Sequence, residues 1–156
     1  MPINKVKIAK KEIKMVDVSA KKITKRRAVA LAKVTMGHKT ISLIMRGKIK
    51  KGDVLAVSTL AGIQAAKKTK DLILLCHPIE LSHIDISFSF KKNTLNIKAE
   101  VSGQARTGFE MEALSAASVS ALNVYDMCKY LDKSISIEVN LLEKEGGKSG
   151  KFTRPM

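Results

Sequence analysis

The stretch Gly108–Lys129, GFEMEALSAASVSALNVYDMCK, constrains the fold more than any other part of this chain. Apolar or small residues return at helical spacing (Met111, Leu114, Ser118, Ala121, Leu122, Tyr125), and neither proline nor glycine interrupts the run after Gly108. The pattern predicts one long helix. Glu110 and Glu112 fall in its first turn, where the helix dipole favours negative charge. Alanine and serine fill its middle, so a neighbouring element can approach closely. A second stripe, Met111, Glu112, Ser115, Val119, Leu122, Asp126 and Lys129, mixes carboxylates and a lysine with apolar side chains. Asp126 and Lys129 are spaced i,i+3 and can pair. Taken alone, such a pair reads as an ordinary surface salt bridge.

The other elements arrange themselves around that helix. Residues 1–27 form a basic arm, with Lys5, Lys7, Lys10, Lys11, Lys14, Lys21, Lys22, Lys25, Arg26 and Arg27 and few apolar side chains to offset the entropy of ordering. The plain reading is a solvated tail, and the sharper one is phosphate contact by Arg26 or Arg27 where the chain enters the fold. Ala28–Met36 reads as a strand, Lys39–Arg46 as a short amphipathic helix closed by Gly47, and Val54–Thr69 as a helix capped by Asp53. Leu72–Pro78, LILLCHP, has the look of a buried apolar run that stops at Pro78. His83–Phe90 alternates, with Ile84, Ile86, Phe88 and Phe90 on one face. Leu95–Val101 alternates again after the turn at Lys91–Asn93, giving an antiparallel hairpin with one buried face. Ser134–Leu142 is a last strand, and residues 145–156 are a flexible, basic tail carrying GGKSG. The order predicts an α+β fold: a ferredoxin-like split β-α-β arrangement over residues 28–144, with helices packed on one face of a four-stranded antiparallel sheet.

Composition narrows the function classes. Of 156 residues, 29 are Lys or Arg and 14 Asp or Glu, a net charge of +15, which calls for a polyanionic partner: RNA or a phosphorylated small molecule. Aromatics are only 4% and Trp is absent, so stacking platforms for single-stranded nucleic acid are scarce. Cys76 and Cys128 lack the spacing of a disulfide scaffold, and no apolar run reaches the roughly 18 residues of a membrane span. These features point to a cytoplasmic protein. Neither a metal nor a cofactor is expected, because Cys76 and His77 have no CxxC or HxxxH companions.

Gly146–Ser149 matches the last part of a P-loop, but too few residues follow to build the phosphate-binding helix. No nucleophilic triad and no GxGxxG after a strand occur. What remains is a set of lysines, a histidine and carboxylates: Lys51, Lys67, His77, Glu110, Glu112, Asp126, Lys129 and Lys148. They sit in short strings: MVDVS (Met15–Ser19), KGDV (Lys51–Val54), AGIQAAKKT (Ala61–Thr69), LCHP (Leu75–Pro78), EMEAL (Glu110–Leu114), YDMCK (Tyr125–Lys129) and GGKSG (Gly146–Gly150). In this order the strings resemble the MoaC family of molybdenum-cofactor biosynthesis, over about residues 15–150. The chain departs from the family pattern at Leu74, where proline is expected, and at Phe109, where a smaller apolar residue is expected.

The resemblance implies a phosphorus–oxygen lyase acting on 3′,8-cyclo-7,8-dihydro-GTP, giving cyclic pyranopterin monophosphate and pyrophosphate. It implies Asp126, Lys129, Lys51 and Lys148 as catalytic residues. It implies Leu75, Cys76, His77, Glu110, Met111, Glu112 and Lys67 as substrate-binding residues, with Cys76 contributing its backbone. It further implies a homo-oligomer, a hexamer built as a trimer of dimers with sites at subunit interfaces. Glu112 and Asp126 are about four turns apart, roughly 21 Å, too far to converge on one ring system, so either they grip distant parts of the ligand or the site combines the helices of two subunits, the option the resemblance fits. The rival reading is a basic RNA-binding module on the same fold. Scarce aromatics and the lack of an RNP-like string weigh against it.

Overall fold

The computed structural model describes residues 11–155. Lys5, Lys7 and Lys10 of the expected basic arm, and the terminal Met156, lie outside the described residues. The elements run β1 (Thr24–Thr35), α1 (His38–Met45), α2 (Val54–Lys67), α3 (Thr69–Leu72), β2 (His83–Lys91), β3 (Thr94–Ala105), α4 (Glu110–Cys128), β4 (Ser136–Glu145) and β5 (Phe152–Thr153). The sheet order is β2-β3-β1-β4-β5, and every pairing is antiparallel. The first four strands make the expected ferredoxin-like split β-α-β sheet. The fifth is a correction to the four-stranded expectation: Phe152 and Thr153 pair with Lys144 and Glu143, so part of the expected flexible tail adds a short edge strand.

The layering follows from residue size. Ala28, Ala30, Ala32 and Val34 of β1, and Leu95, Ile97, Ala99 and Val101 of β3, are fully buried in one core with Ala113, Ala116, Ala117, Ala121 and Val124 of α4. Alanine on both sides lets the helix lie close to the sheet. Against the other side of α4 runs α2, and Gly62 is the point of closest approach. A methyl group there would overlap Ser120 Oγ and lie 3.1 Å from the Ala116 carbonyl oxygen. Ser120 Oγ donates to the Ser58 carbonyl across this seam at 2.8 Å. Asp53 caps α2 as expected, its carboxylate accepting from Ala56 N at 3.0 Å.

Three expectations need correction. First, β1 begins at Thr24, inside the stretch expected to be an arm. Arg26 and Arg27 pair in register with Gly103 and Ser102. Their charge masked the strand, but Arg27 is satisfied on the sheet face away from the helices, donating to both carboxylate oxygens of Glu100 (2.7 and 2.8 Å) and to Glu143 (2.8 Å). Second, the apolar run Leu72–Pro78 is not buried. Leu72, Leu74 and Leu75 are exposed, Leu74 at 87%. The run crosses the surface between α3 and the edge strand β2, and Ile79 and Leu81 make that connection's core contacts instead. Third, the apolar or small positions read at helical spacing do not all face the core: Leu122 is 57% exposed, and the buried stripe of α4 runs through Ala113, Ala116, Ala117 and Ala121. Phe109, unusual beside the EMEAL string, is fully buried, and Gly103 on β3 leaves space for its ring.

Candidate active site

The C-terminal end of α4 carries the first cluster. Asp126 Oδ1 pairs with Lys129 Nζ at 2.7 Å, and Oδ2 pairs with Lys51 Nζ at 2.6 Å. Lys51 Nζ also donates to the Asp126 carbonyl at 3.1 Å. Two features of the α1–α2 loop deliver Lys51: Ile49 is buried as an anchor, and Gly52 takes a φ of 113°, a left-handed conformation that favours glycine. The hydrogen bonds from Lys129 and Lys51 hold the Asp126 carboxyl down to about 2, and Asp126 in turn raises the Lys129 ammonium. Lys129 is half exposed, so burial does little to oppose this. The arrangement fixes Lys129 as a cation at neutral pH, a proton donor or phosphate contact and not a resting base.

The second cluster surrounds the N-terminal end of α4. Glu112 is buried, and burial, helped by the charge of Glu110, pushes its carboxyl up to about 7. Glu112 therefore titrates within the neutral range, and its protonated form can donate a hydrogen bond. The Cys76 thiol is raised by burial and by the Glu112 charge, which makes it a poor nucleophile and suits a backbone role. His77 Nε2 lies 2.6 Å from the Val16 carbonyl; since a carbonyl only accepts, Nε2 carries the proton and Nδ1 faces away from that bond. Glu110 pairs with Lys144 at 3.2 Å, and Lys144 Nζ donates to Ser149 Oγ at 2.9 Å, tying the GGKSG loop to the helix.

That loop closes a basic cavity. Gly146 and Gly147 have φ of 93° and 76° and press against Lys25 and Arg26. Arg26 donates to Thr24 Oγ1 and to the carbonyls of Ala105 and Arg106. A hollow of about 620 Å³ results, lined by Lys21, Lys22, Arg26, Lys148 and Ser149. A second hollow of about 320 Å³ has His77, Glu80, Gln104, Ala105 and Arg106 in its wall. A larger space of about 780 Å³ on the open sheet face contains none of these residues.

The expected site residues are thus gathered into two groups, Lys51, Asp126 and Lys129 at one end of α4, and Cys76, Glu110 and Glu112 at the other. His77 and Lys148 line the hollows just described. Leu75 is exposed, Met111 is half-buried, and Lys67 is exposed in the last turn of α2 with no hydrogen bond to either group among the described residues. Sequence reasoning passed over Lys21 and Lys22 as parts of a cavity, Lys144 as the loop tie, and Tyr130. The first two were hidden in a charge run; Lys144 is marked only by its place on the strand before the double glycine. No group of three or more His, Cys, Asp or Glu able to hold a metal occurs among the described residues, and none of the described helices is long and apolar enough to cross a membrane.

The MoaC family model matches residues 15–147. The cyclic pyranopterin monophosphate synthase of Listeria welshimeri is 55% identical over 144 residues, covering 91% of this chain and 90% of that protein. Proteins with the same name from Chloroflexus aurantiacus and Brevibacillus brevis are 51% and 52% identical, covering 91% and 90% of this chain and 89% of each relative.

Proposed function

Because the chain belongs to the MoaC family, we propose that it is a cyclic pyranopterin monophosphate synthase, converting 3′,8-cyclo-7,8-dihydro-GTP to cyclic pyranopterin monophosphate and pyrophosphate in the cytoplasm. The observation that carries the chemistry is Asp126 bridging two lysine ammonium groups. The relatives give the RNA-binding alternative no support.

The roles follow from charge and exposure. A triphosphate carries more negative charge than any single cation can balance, and Lys21, Lys22, Arg26 and Lys148 line one cavity suited to it. Forming the cyclic phosphate joins a substrate hydroxyl oxygen to the α-phosphorus and breaks its bond to the bridging oxygen, which departs with pyrophosphate. Cations on the leaving group stabilise that charge as it develops. The ring rearrangement needs proton donors and acceptors. Glu112, partly protonated near pH 7, is a donor in that form, and His77 Nδ1 is an acceptor. Lys51 and Lys129, oriented by Asp126, supply ammonium protons to substrate atoms.

The two groups stand about 21 Å apart along α4, so we assign the working site to two chains, each giving one end of its helix. A hexamer arranged as a trimer of dimers satisfies this with every site equivalent. Two experiments test these assignments. Mixing inactive Asp126→Asn chains with inactive His77→Ala chains should restore part of the activity; a fully active monomer in sedimentation would sink the two-chain site. Lys129→Arg keeps the charge but does not release a proton, so turnover should fall by about two orders of magnitude with the fold intact. Near-normal turnover would reduce Lys129 to a phosphate contact.

A further inference from the structure

We infer that Tyr130 is a positioning residue for Lys51, fixing the α1–α2 loop so that the lysine reaches Asp126. The inference rests on the reading of Lys51, Asp126 and Lys129 as part of the active site. Tyr130 follows Lys129 directly, just past the end of α4. Its hydroxyl oxygen accepts the backbone N–H of Lys50 at 3.1 Å, and the Lys50 ammonium sits 5.5 Å from the centre of its ring.

The loop needs such a tie. It enters through Gly47 at φ 63° and leaves through Gly52 at φ 113°, two joints with little intrinsic preference for one conformation. Between them, Gly52 N–H donates to the Ile49 carbonyl, and Ile49 plugs into the core. These contacts fix the loop's base, and neither involves the backbone of Lys50 or Lys51. The hydroxyl of Tyr130 holds the residue immediately before Lys51. It also grows from the same turn that carries Asp126 and Lys129, so the reference point for Lys51 is the site itself. Tyr130 is 43% exposed and adds little to the core, which separates this role from ordinary packing.

Tyr130→Phe removes the hydroxyl and keeps the ring under Lys50. Two readouts in the full-length protein test the inference. The first needs no turnover: acetylation of Lys51 by acetic anhydride, followed by mass spectrometry and normalised to Lys48. A Lys51 side chain no longer held against Asp126 is more accessible to the reagent, so the variant should show a rise of about three-fold or more with the melting temperature unchanged. An unchanged Lys51 rate overturns the inference. The second is pyrophosphate release. One lost hydrogen bond predicts a fall in kcat of about three- to ten-fold with KM nearly unchanged. In a Lys51→Ala background the same substitution should add no further loss. An equal loss in both backgrounds means that the hydroxyl does not act through Lys51 and overturns the inference. A protein without turnover in any form would count against the proposed function, and the acetylation result would still decide the role of Tyr130.

Discussion

Replacing Glu112 with glutamine removes the most perturbed carboxyl of the candidate site while keeping its size. In the unfolded chain this group titrates near 4.5, and in the folded chain near 7. Below the lower value it is neutral in both states and contributes no pH dependence. Between the two, the folded chain retains a proton that the unfolded chain has lost, so stability falls as pH rises through this window. Above about 7 the whole penalty is present. At about 1.4 kcal/mol for each pH unit between the two values, it amounts to about 3 kcal/mol. Glu112→Gln escapes it. The stability advantage of the variant over the parent should therefore grow by about 2.5 kcal/mol between roughly pH 5 and pH 8. In a domain of this size that corresponds to about 5–10 °C in melting temperature. Urea denaturation of both proteins at the two pH values measures it directly. If glutamine and glutamate differ by a constant amount across the range, Glu112 is an ordinary carboxylate and the buried-acid argument fails. Should Glu112 also donate a proton in catalysis, the same variant loses about a hundred-fold in turnover despite its greater stability.

Other substitutions probe the frame. Gly62→Ala should lower stability by about 1–3 kcal/mol in urea denaturation, although alanine favours helix, because its methyl group meets Ser120 Oγ with Ile86 Cδ1 only 3.2 Å away; an unchanged midpoint would contradict the tight α2–α4 seam. Arg27→Ala should cost about 1–2 kcal/mol at neutral pH by stranding Glu100 and Glu143. Hydrogen bonds from Arg27 depress both carboxyls, so the stability they contribute is present above 4.5 and fades as pH falls, and the loss should shrink near about pH 3. Gly147→Ala forces Arg26 to move, since the new methyl group would lie 2.6 Å from its Nη2. The expected result is a rise in substrate KM of about ten-fold, with a fall in melting temperature of about 2–6 °C because alanine is strained at a φ of 76°, and an unchanged KM would remove Arg26 from the phosphate cavity.

The sequence made the framework legible wherever side-chain pattern and environment agree. Strand β2 alternates cleanly because one face meets the helices and the other does not. The length of α4 followed from uninterrupted periodicity, but its orientation did not. Leu122 outranks alanine in hydrophobicity, yet the face of α4 buried in the core is built mainly of alanine, and Leu122 lies outside it. The start of β1 was concealed because Arg26 and Arg27 read as an arm until partners from β3 and β4 are in place. The Asp126–Lys129 pair was readable from spacing alone. That Lys51, distant in sequence, takes the other carboxylate oxygen is a property of the folded loop, and so is the burial that makes Glu112 a neutral acid. Motif resemblance named both residues without revealing either state.

Pyrophosphate release from 3′,8-cyclo-7,8-dihydro-GTP, followed together with the appearance of cyclic pyranopterin monophosphate, tests the central claim most directly. The purified chain should release one pyrophosphate for each product formed, and Asp126→Asn should abolish both. A folded protein that binds the substrate and releases no pyrophosphate, or that releases it equally well in Asp126→Asn, would contradict the account.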